Sequence, residues 1–357
     1  MKKNLLVILG SSLLILVMAL MPFFGACTPE PPPPPPPPPD EDEEPPPPPP
    51  PAEMEYRIGE SVIIEHPDLF SDQYGFRQAM AAAGFVEGVN VEYIFLCAEG
   101  DMSLAKSIAD RFVAEEVDLI HALTTPNAQA CVGAAEGTGI PIVFSSVTAP
   151  AMAEIVSTWD APRPDANVTG VSDMAAMLPQ MEMIREICPE ATVLGVIYNA
   201  GEPNSVVQID QLKDIMADVG IEELVEVTCS TTAEVATAAN SLVGRCDAIY
   251  IPTDNTAVSG LEAIIAVAEE YKIPFFGSTG DMVSRGCIAG QGADYTWIGA
   301  EAGRFAVRIL EGESPGDIPV VMCAPEACLL VVNPGAAERM GITIPQAVID
   351  KADIVVE

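Results

Sequence analysis

Positive charge is what this chain of 357 residues has least of: 16 lysines and arginines stand against 52 acids, for a formal charge of −36. A surface so acidic repels phosphate backbones and anionic lipid headgroups, which excludes nucleic acid as a partner. The two histidines, His66 and His121, lie far apart, and no two cysteines are spaced Cys-x-x-Cys, so no metal site is assigned. A phosphate-binding Gly-x-x-x-x-Gly-Lys-Ser/Thr loop is missing as well. Gly290-Gln291-Gly292 opens a dinucleotide-type glycine pattern, but Tyr295 stands where its third glycine belongs. No catalytic residue and no cofactor follow from these motifs, and the chain does not read as an enzyme.

What is present begins at the N-terminus. Lys2 and Lys3 precede an apolar stretch from Leu5 to Phe24, and Gly25-Ala26-Cys27 is the small-small-Cys ending of a bacterial lipoprotein signal. Residues 1–26 are read as that signal and Cys27 as the lipidated first residue of an extracytoplasmic protein held at the cell membrane. Residues 27–55 form a tether, in which Pro31–Pro39 and Pro45–Pro51 flank the acidic run 40–44. Proline fixes φ and removes the amide donor, so both blocks favour polyproline II. At about 3.1 Å per residue the tether reaches on the order of 75 Å. In an oxidising compartment most of the other eight cysteines are expected to pair, with Cys323 and Cys328 the nearest local partners.

From Tyr56 onward a strand–helix rhythm sets in, and its strands are continuous apolar runs, as in parallel strands covered on both faces. A first strand ending at Val62–Ile64, then Val91–Leu96, Val117–Leu123 and Ile140–Phe144, make a first series closed by a short strand near 167–173. Val193–Tyr198, Leu224–Thr228, Ala248–Ile251 and Ile273–Phe276 make a second. Two βα series of similar size over roughly 300 residues predict an α/β protein of two doubly wound lobes.

In open parallel sheets ligands bind beyond the carboxyl ends of the strands. The loops there are rich in hydroxyl and amide groups: Glu65-His66-Pro67, Thr124-Thr125-Pro126-Asn127, Ser145-Ser146-Val147-Thr148, Ser172-Asp173, Tyr198-Asn199 and Thr253-Asp254-Asn255. Each is also a natural helix N-cap. These stretches, with Ile140-Pro141-Ile142-Val143-Phe144, Asn167-Val168-Thr169-Gly170-Val171-Ser172-Asp173 and Asn204-Ser205, resemble in order and spacing the type I solute-binding proteins of ABC importers, and within them the tryptophan-type receptors.

The resemblance implies two lobes joined by a three-strand hinge and closing around a small ligand. Crossings are placed near Gly170, Gly280 and Gly312, which assigns 56–169 plus 281–311 to the N-terminal lobe and 170–280 plus 312–357 to the C-terminal lobe. It further implies an ABC permease as partner, a monomer, and an amino acid, most of all an aromatic one, as ligand. A ligand-sensing lipoprotein signalling to a membrane receptor is the alternative. Thr125, Asn127, Ser145, Ser146 and Thr148 suit the ligand carboxylate. Asp254 and Asp294 suit its ammonium, with Glu65 and Asp173 behind them; His66, Tyr198, Asn199, Thr253 and Asn255 complete the expected ligand-binding set, and Met174, Tyr198 and Tyr295 suit an apolar or aromatic side chain.

Overall fold

The computed structural model describes residues 55–163 and 166–356. The expected signal, Cys27 and the tether through residue 54 lie outside the described residues. In chain order the strands are β1 (Tyr56–Val62), β2 (Val91–Cys97), β3 (Leu119–Leu123), β4 (Ile142–Ser145), β5 (Val168–Ser172), β6 (Val193–Tyr198), β7 (Glu223–Thr228), β8 (Ala248–Ile251), β9 (Phe275–Gly277), β10 (Ala289–Ala293), β11 (Val321–Met322), β12 (Cys328–Val332) and β13 (Ile354–Val355). One sheet has the order β11-β5-β4-β3-β1-β2, the other β13-β12-β10-β9-β8-β6-β7. Only the β10–β12 pair is antiparallel among the described strands.

The all-apolar runs form strands because both faces of each sheet are covered. Leu119 and Val143 face a cluster with Phe76, Met80 and Ile298. Their chain neighbours Ile120 and Phe144 face the opposite cluster, with Phe112 and Ala109, as the two-residue period of a strand requires. The second sheet is enclosed in the same way by one cluster that includes Tyr250, Phe275, Phe276 and Leu212.

The three crossings fall later in the chain than the glycines suggest. Gly170 lies inside β5, opposite Phe144 of β4, so the first crossing follows Ser172. Gly280 begins a short helix between β9 and β10, both in the second sheet, and the chain returns to the first lobe only at Asp294 and the helix Tyr295–Leu310. Gly312 ends that helix with φ +105°; β11 still pairs with β5, so the third crossing lies between Met322 and Cys328. Segment 281–293 therefore belongs with the second sheet and 312–322 with the first. Gly290 and Gly292 have a packing reason: a Cβ on Gly292 would lie 1.9 Å from the Ser278 carbonyl oxygen. Gly312-Glu313-Ser314-Pro315-Gly316 matches the Gly-x-Ser-x-Gly nucleophile pattern in letters, but it follows a helix instead of a strand and makes no nucleophile elbow.

The expected disulfides are not formed, and all eight described cysteines are free. Cys323 and Cys328 do come together across the third crossing, with their sulfurs 3.8 Å apart. Cys131 is buried in the first lobe and Cys287 in the second, so these two cannot meet.

Candidate functional site

The parallel order puts the loops that follow the parallel strands of each sheet on one edge, and the two edges meet around a narrow cavity. From the first lobe His66, Asp68, Leu69, Thr124, Thr125, Ser146 and Thr148 line it; Asp173 and Tyr295 come from the crossings; Asn204, Thr253, Asp254, Asn255, Val258, Thr279 and Met282 come from the second lobe. The lobes touch here, with Thr148 Oγ1 3.5 Å from Thr253 Oγ1. Where the first two crossings run side by side, the Tyr295 hydroxyl donates to Asp173 Oδ2 at 3.0 Å.

Two wall residues carry unusual backbone. Thr124 has φ +77° and Ser146 φ +54°, and neither is glycine. Each such conformation costs of the order of 1–3 kcal/mol and persists where its surroundings fix it, commonly at binding sites. They follow the adjacent strands β3 and β4, and the Thr124 amide donates to the Ser145 carbonyl at 3.0 Å.

Several buried oxygens in the cavity wall have no hydrogen-bond partner: Thr124 Oγ1, Thr125 Oγ1, Asp173 Oδ1 and Asn204 Oδ1, and with them His66 Nδ1. Buried polar atoms are paired in the great majority of cases, so such a concentration marks the place where a polar ligand completes the bonding. Asp254, 1% exposed, differs from these. Its Oδ2 accepts from the Asn199 amide and the Ser205 hydroxyl, both at 2.6 Å, and its Oδ1 caps the helix Asn255–Ser259 through the Ala257 amide, also at 2.6 Å.

Of the expected binding residues, His66, Thr125, Ser146, Thr148, Asp173, Thr253, Asp254 and Asn255 stand in the cavity wall. The others are elsewhere. Glu65 is exposed. Asn127 is buried against Ser61, to whose hydroxyl it donates at 2.8 Å. Ser145 bonds to His121, and the Tyr198 hydroxyl donates to Glu226 at 2.8 Å. Asn199 lines a neighbouring groove. Asp294 caps the helix Tyr295–Leu310 through the amides of Thr296 and Trp297, outside the cavity. Met174 faces a groove on other surfaces of the crossings, with Cys323 and Cys328. The expected ligand set omitted Asp68, whose place in the first turn of a helix reads as ordinary dipole compensation.

Burial dominates the electrostatics. Asp68 is pushed up to about 7 by burial and then by Asp281, and Asp254 up to about 7 by burial and then by Glu202. Burial raises Asp72 to about 6 against the pull of His121, and it lowers His66 to about 4 with Arg285 adding to the effect. The three raised carboxyls hold protons in the folded protein that the unfolded chain has lost, so they contribute stability below about pH 4 that disappears as pH rises to about 7. His66 acts in the opposite sense, its stability lost as pH falls from 6.5 toward 4, but it is one group against three. The melting temperature of the ligand-free protein is therefore expected to fall as pH is raised from 5 to 8. Calorimetric scans across that range check this, and a rising or flat profile contradicts the assigned burial.

With the geometry in view, relatives become informative. Residues 57–356 match the family described as "ABC transporter substrate binding protein". The chain belongs to this family. Its members bind solutes for transport and act outside the cytoplasm, and the fold is that of type I periplasmic binding proteins. A tyrosine-binding protein of Clostridioides difficile (strain R20291) is 40% identical over 269 residues, covering 75% of this chain and 76% of the relative. The ABC domain from Streptococcus pneumonia in complex with L-Trp is 29% identical, with a TM-score of 0.80 over 85% of this chain and all of that one. A ligand-free, open substrate-binding protein with adhesive properties from Clostridium difficile is more similar in sequence, at 35%, yet its TM-score is 0.63 over 85% of this chain and 99% of its own.

Proposed function

We propose that this protein is the lipid-anchored substrate-binding component of an ABC importer, and that its lobes close on a zwitterionic aromatic amino acid. The observation that carries the reading is the set of buried, unpartnered oxygens converging on a cavity between the lobes. The ligand carboxylate has donors in the hydroxyls of Thr124 and Thr125, at the start of the helix Thr125–Ala134, and of Thr148 in the loop after β4, and Ser146 lines the same wall. Its ammonium has acceptors in Asp254 and Asn204 Oδ1, and Asp173 Oδ1 adds another to the wall. Leu69, Val258, Met282 and Tyr295 give the side chain an apolar enclosure. The tyrosine-binding relative and the L-Trp complex both take aromatic amino acids, and the closer structural match to the L-Trp complex than to the open chain supports a closed arrangement here.

Calorimetry with tyrosine, tryptophan and phenylalanine tests the ligand class, with the corresponding amines lacking the carboxylate as controls. A ligand at 100 times its Kd stabilises the fold by about 2.7 kcal/mol, so a thermal-shift screen gives a parallel readout. Saturable binding of an aromatic amino acid and none of its decarboxylated amine is the expected result. Binding of none of the three overturns the reading. The anchor has its own test: Cys27→Ala is expected to abolish incorporation of a fatty-acid analogue, and undiminished labelling of that variant removes the anchor from the proposal.

A further inference from the structure

Behind the first-lobe wall of the cavity lies a chain of polar groups that makes no contact with solvent. Glu60, Asp72, His121 and Ser145 are all 0% exposed. His121 Nδ1 lies 3.3 Å from Glu60 Oε1, and its Nε2 lies 2.8 Å from Ser145 Oγ and 3.9 Å from Asp72 Oδ1. The ring of Phe76 stacks on the imidazole at 3.8 Å. Asp72 Oδ2 is hydrogen-bonded with the hydroxyl of Ser146, which lines the cavity. Gln73 and Arg77 close the far end on Glu60 Oε2.

Ser145, His121 and Glu60 thus have the order of a hydrolytic triad, but Ser145 is sealed and does not line the cavity, so it meets no substrate. Nor is stability an adequate reason for the chain, since apolar residues of similar volume commonly stabilise as well as buried ionic groups do. What the chain does reach is Ser146, one of the two wall residues with left-handed backbone.

We infer that Asp72 is a positioning residue of the ligand site, acting through Ser146: its Oδ2 accepts from the Ser146 hydroxyl and so fixes Ser146 Oγ in the cavity wall, where it meets the ligand. The inference rests on the zwitterion reading of the cavity. Gln73 and Arg77 hold Glu60 at the far end and His121 spans Glu60 and Ser145, so the contact of this chain with the cavity wall is the one between Asp72 and Ser146. Burial raises the Asp72 carboxyl, and the hydrogen bond from Ser146 pulls it back toward the carboxylate that accepts it.

The test is tyrosine calorimetry on the parent, Asp72→Ala, Asp72→Asn, Ser146→Ala and the Asp72→Ala/Ser146→Ala double variant, each with circular dichroism and a thermal melt. Asp72→Ala is expected to weaken tyrosine binding at least tenfold. Asp72→Asn, whose carbonyl oxygen can still accept from Ser146 Oγ, recovers most of that loss. In the double variant the loss stays within about twofold of Ser146→Ala alone, because the two residues act as one unit. A purely structural Asp72 would show additive losses. Additive losses, Asp72→Asn as weak as Asp72→Ala, or Asp72→Ala as tight as the parent each overturn the inference while the functional reading stands. A parent that binds no aromatic amino acid overturns both.

Discussion

Replacing Asp254 by alanine is expected to lower affinity for the amino-acid ligand by roughly 30-fold to several thousand-fold, the range found when one partner of a desolvated, hydrogen-bonded charge pair is removed. The structure adds a second consequence. Asp254 accepts from the Asn199 amide, the Ser205 hydroxyl and the Ala257 amide, and a buried donor left without its acceptor costs about 1–3 kcal/mol. The variant should therefore lose stability as well as ligand, beyond the ~1 kcal/mol of an ordinary helix cap. Asp294 is the matching control. It caps the helix Tyr295–Leu310 but stands outside the cavity, so Asp294→Ala should lower the melting temperature and leave tyrosine affinity unchanged. Calorimetry at a temperature where both variants are folded separates the two effects. If Asp254→Ala binds as tightly as the parent, Asp254 is a cap and nothing more, and Asp173 with its unpartnered Oδ1 becomes the ammonium acceptor.

The comparison of Asp254 with Asp294 also shows what a sequence can reveal here. Both are aspartates after a strand and before a helix, and local chemistry cannot tell a cap that faces a ligand from one that faces solvent. Strands such as β3, β4, β6 and β8 were legible, because burial on both faces makes each a continuous apolar run. Strand β1, with Arg57, Glu60 and Ser61, ends at Val62 and not at Ile64, and β10 to β13 were not foreseen, β10 being Ala-Gly-Gln-Gly-Ala. The crossings were not legible. Glycine suggested them, yet Gly170 is a glycine because a Cβ there would sit 2.1 Å from the Phe144 carbonyl oxygen. Gly312 is one because the preceding helix ends with positive φ. The real crossings run through Asp173, Asp294 and Cys323, residues with no local signature of a hinge. Asn204 and Asp68 hide for a related reason. Each lies in the first turn of a helix, where its polarity already has an explanation.

Gly299→Ala is expected to give the largest loss of stability among conservative changes in the first lobe. The helices Pro67–Ala82 and Tyr295–Leu310 pack with glycines at the contact, and a Cβ on Gly299 would lie 1.8 Å from the Asp72 carbonyl oxygen. At Gly75 it would meet the Thr296 carbonyl at 2.1 Å, and at Gly303 the Phe76 carbonyl at 2.6 Å. In each case the obstacle is backbone, so no side chain can swing aside and the helices themselves must move apart. Overpacking typically costs 1–3 kcal/mol and occasionally more, and this site belongs at the upper end. Alanine recovers about 1 kcal/mol of helix propensity, which leaves a net loss of about 2 kcal/mol or more, or roughly 4–8 °C in melting temperature for a chain of this size. Gly133 supplies the opposite sign. It lies exposed in the helix Thr125–Ala134 with nothing within 4 Å of an added Cβ, so Gly133→Ala should raise the melting temperature. Because Asp72 rides on the displaced helix, Gly299→Ala should also weaken tyrosine binding, whereas Gly133→Ala should not. A Gly299→Ala protein that melts with the parent would mean that the two helices separate without cost, and the route from this contact through Asp72 to Ser146 would then have no mechanical basis.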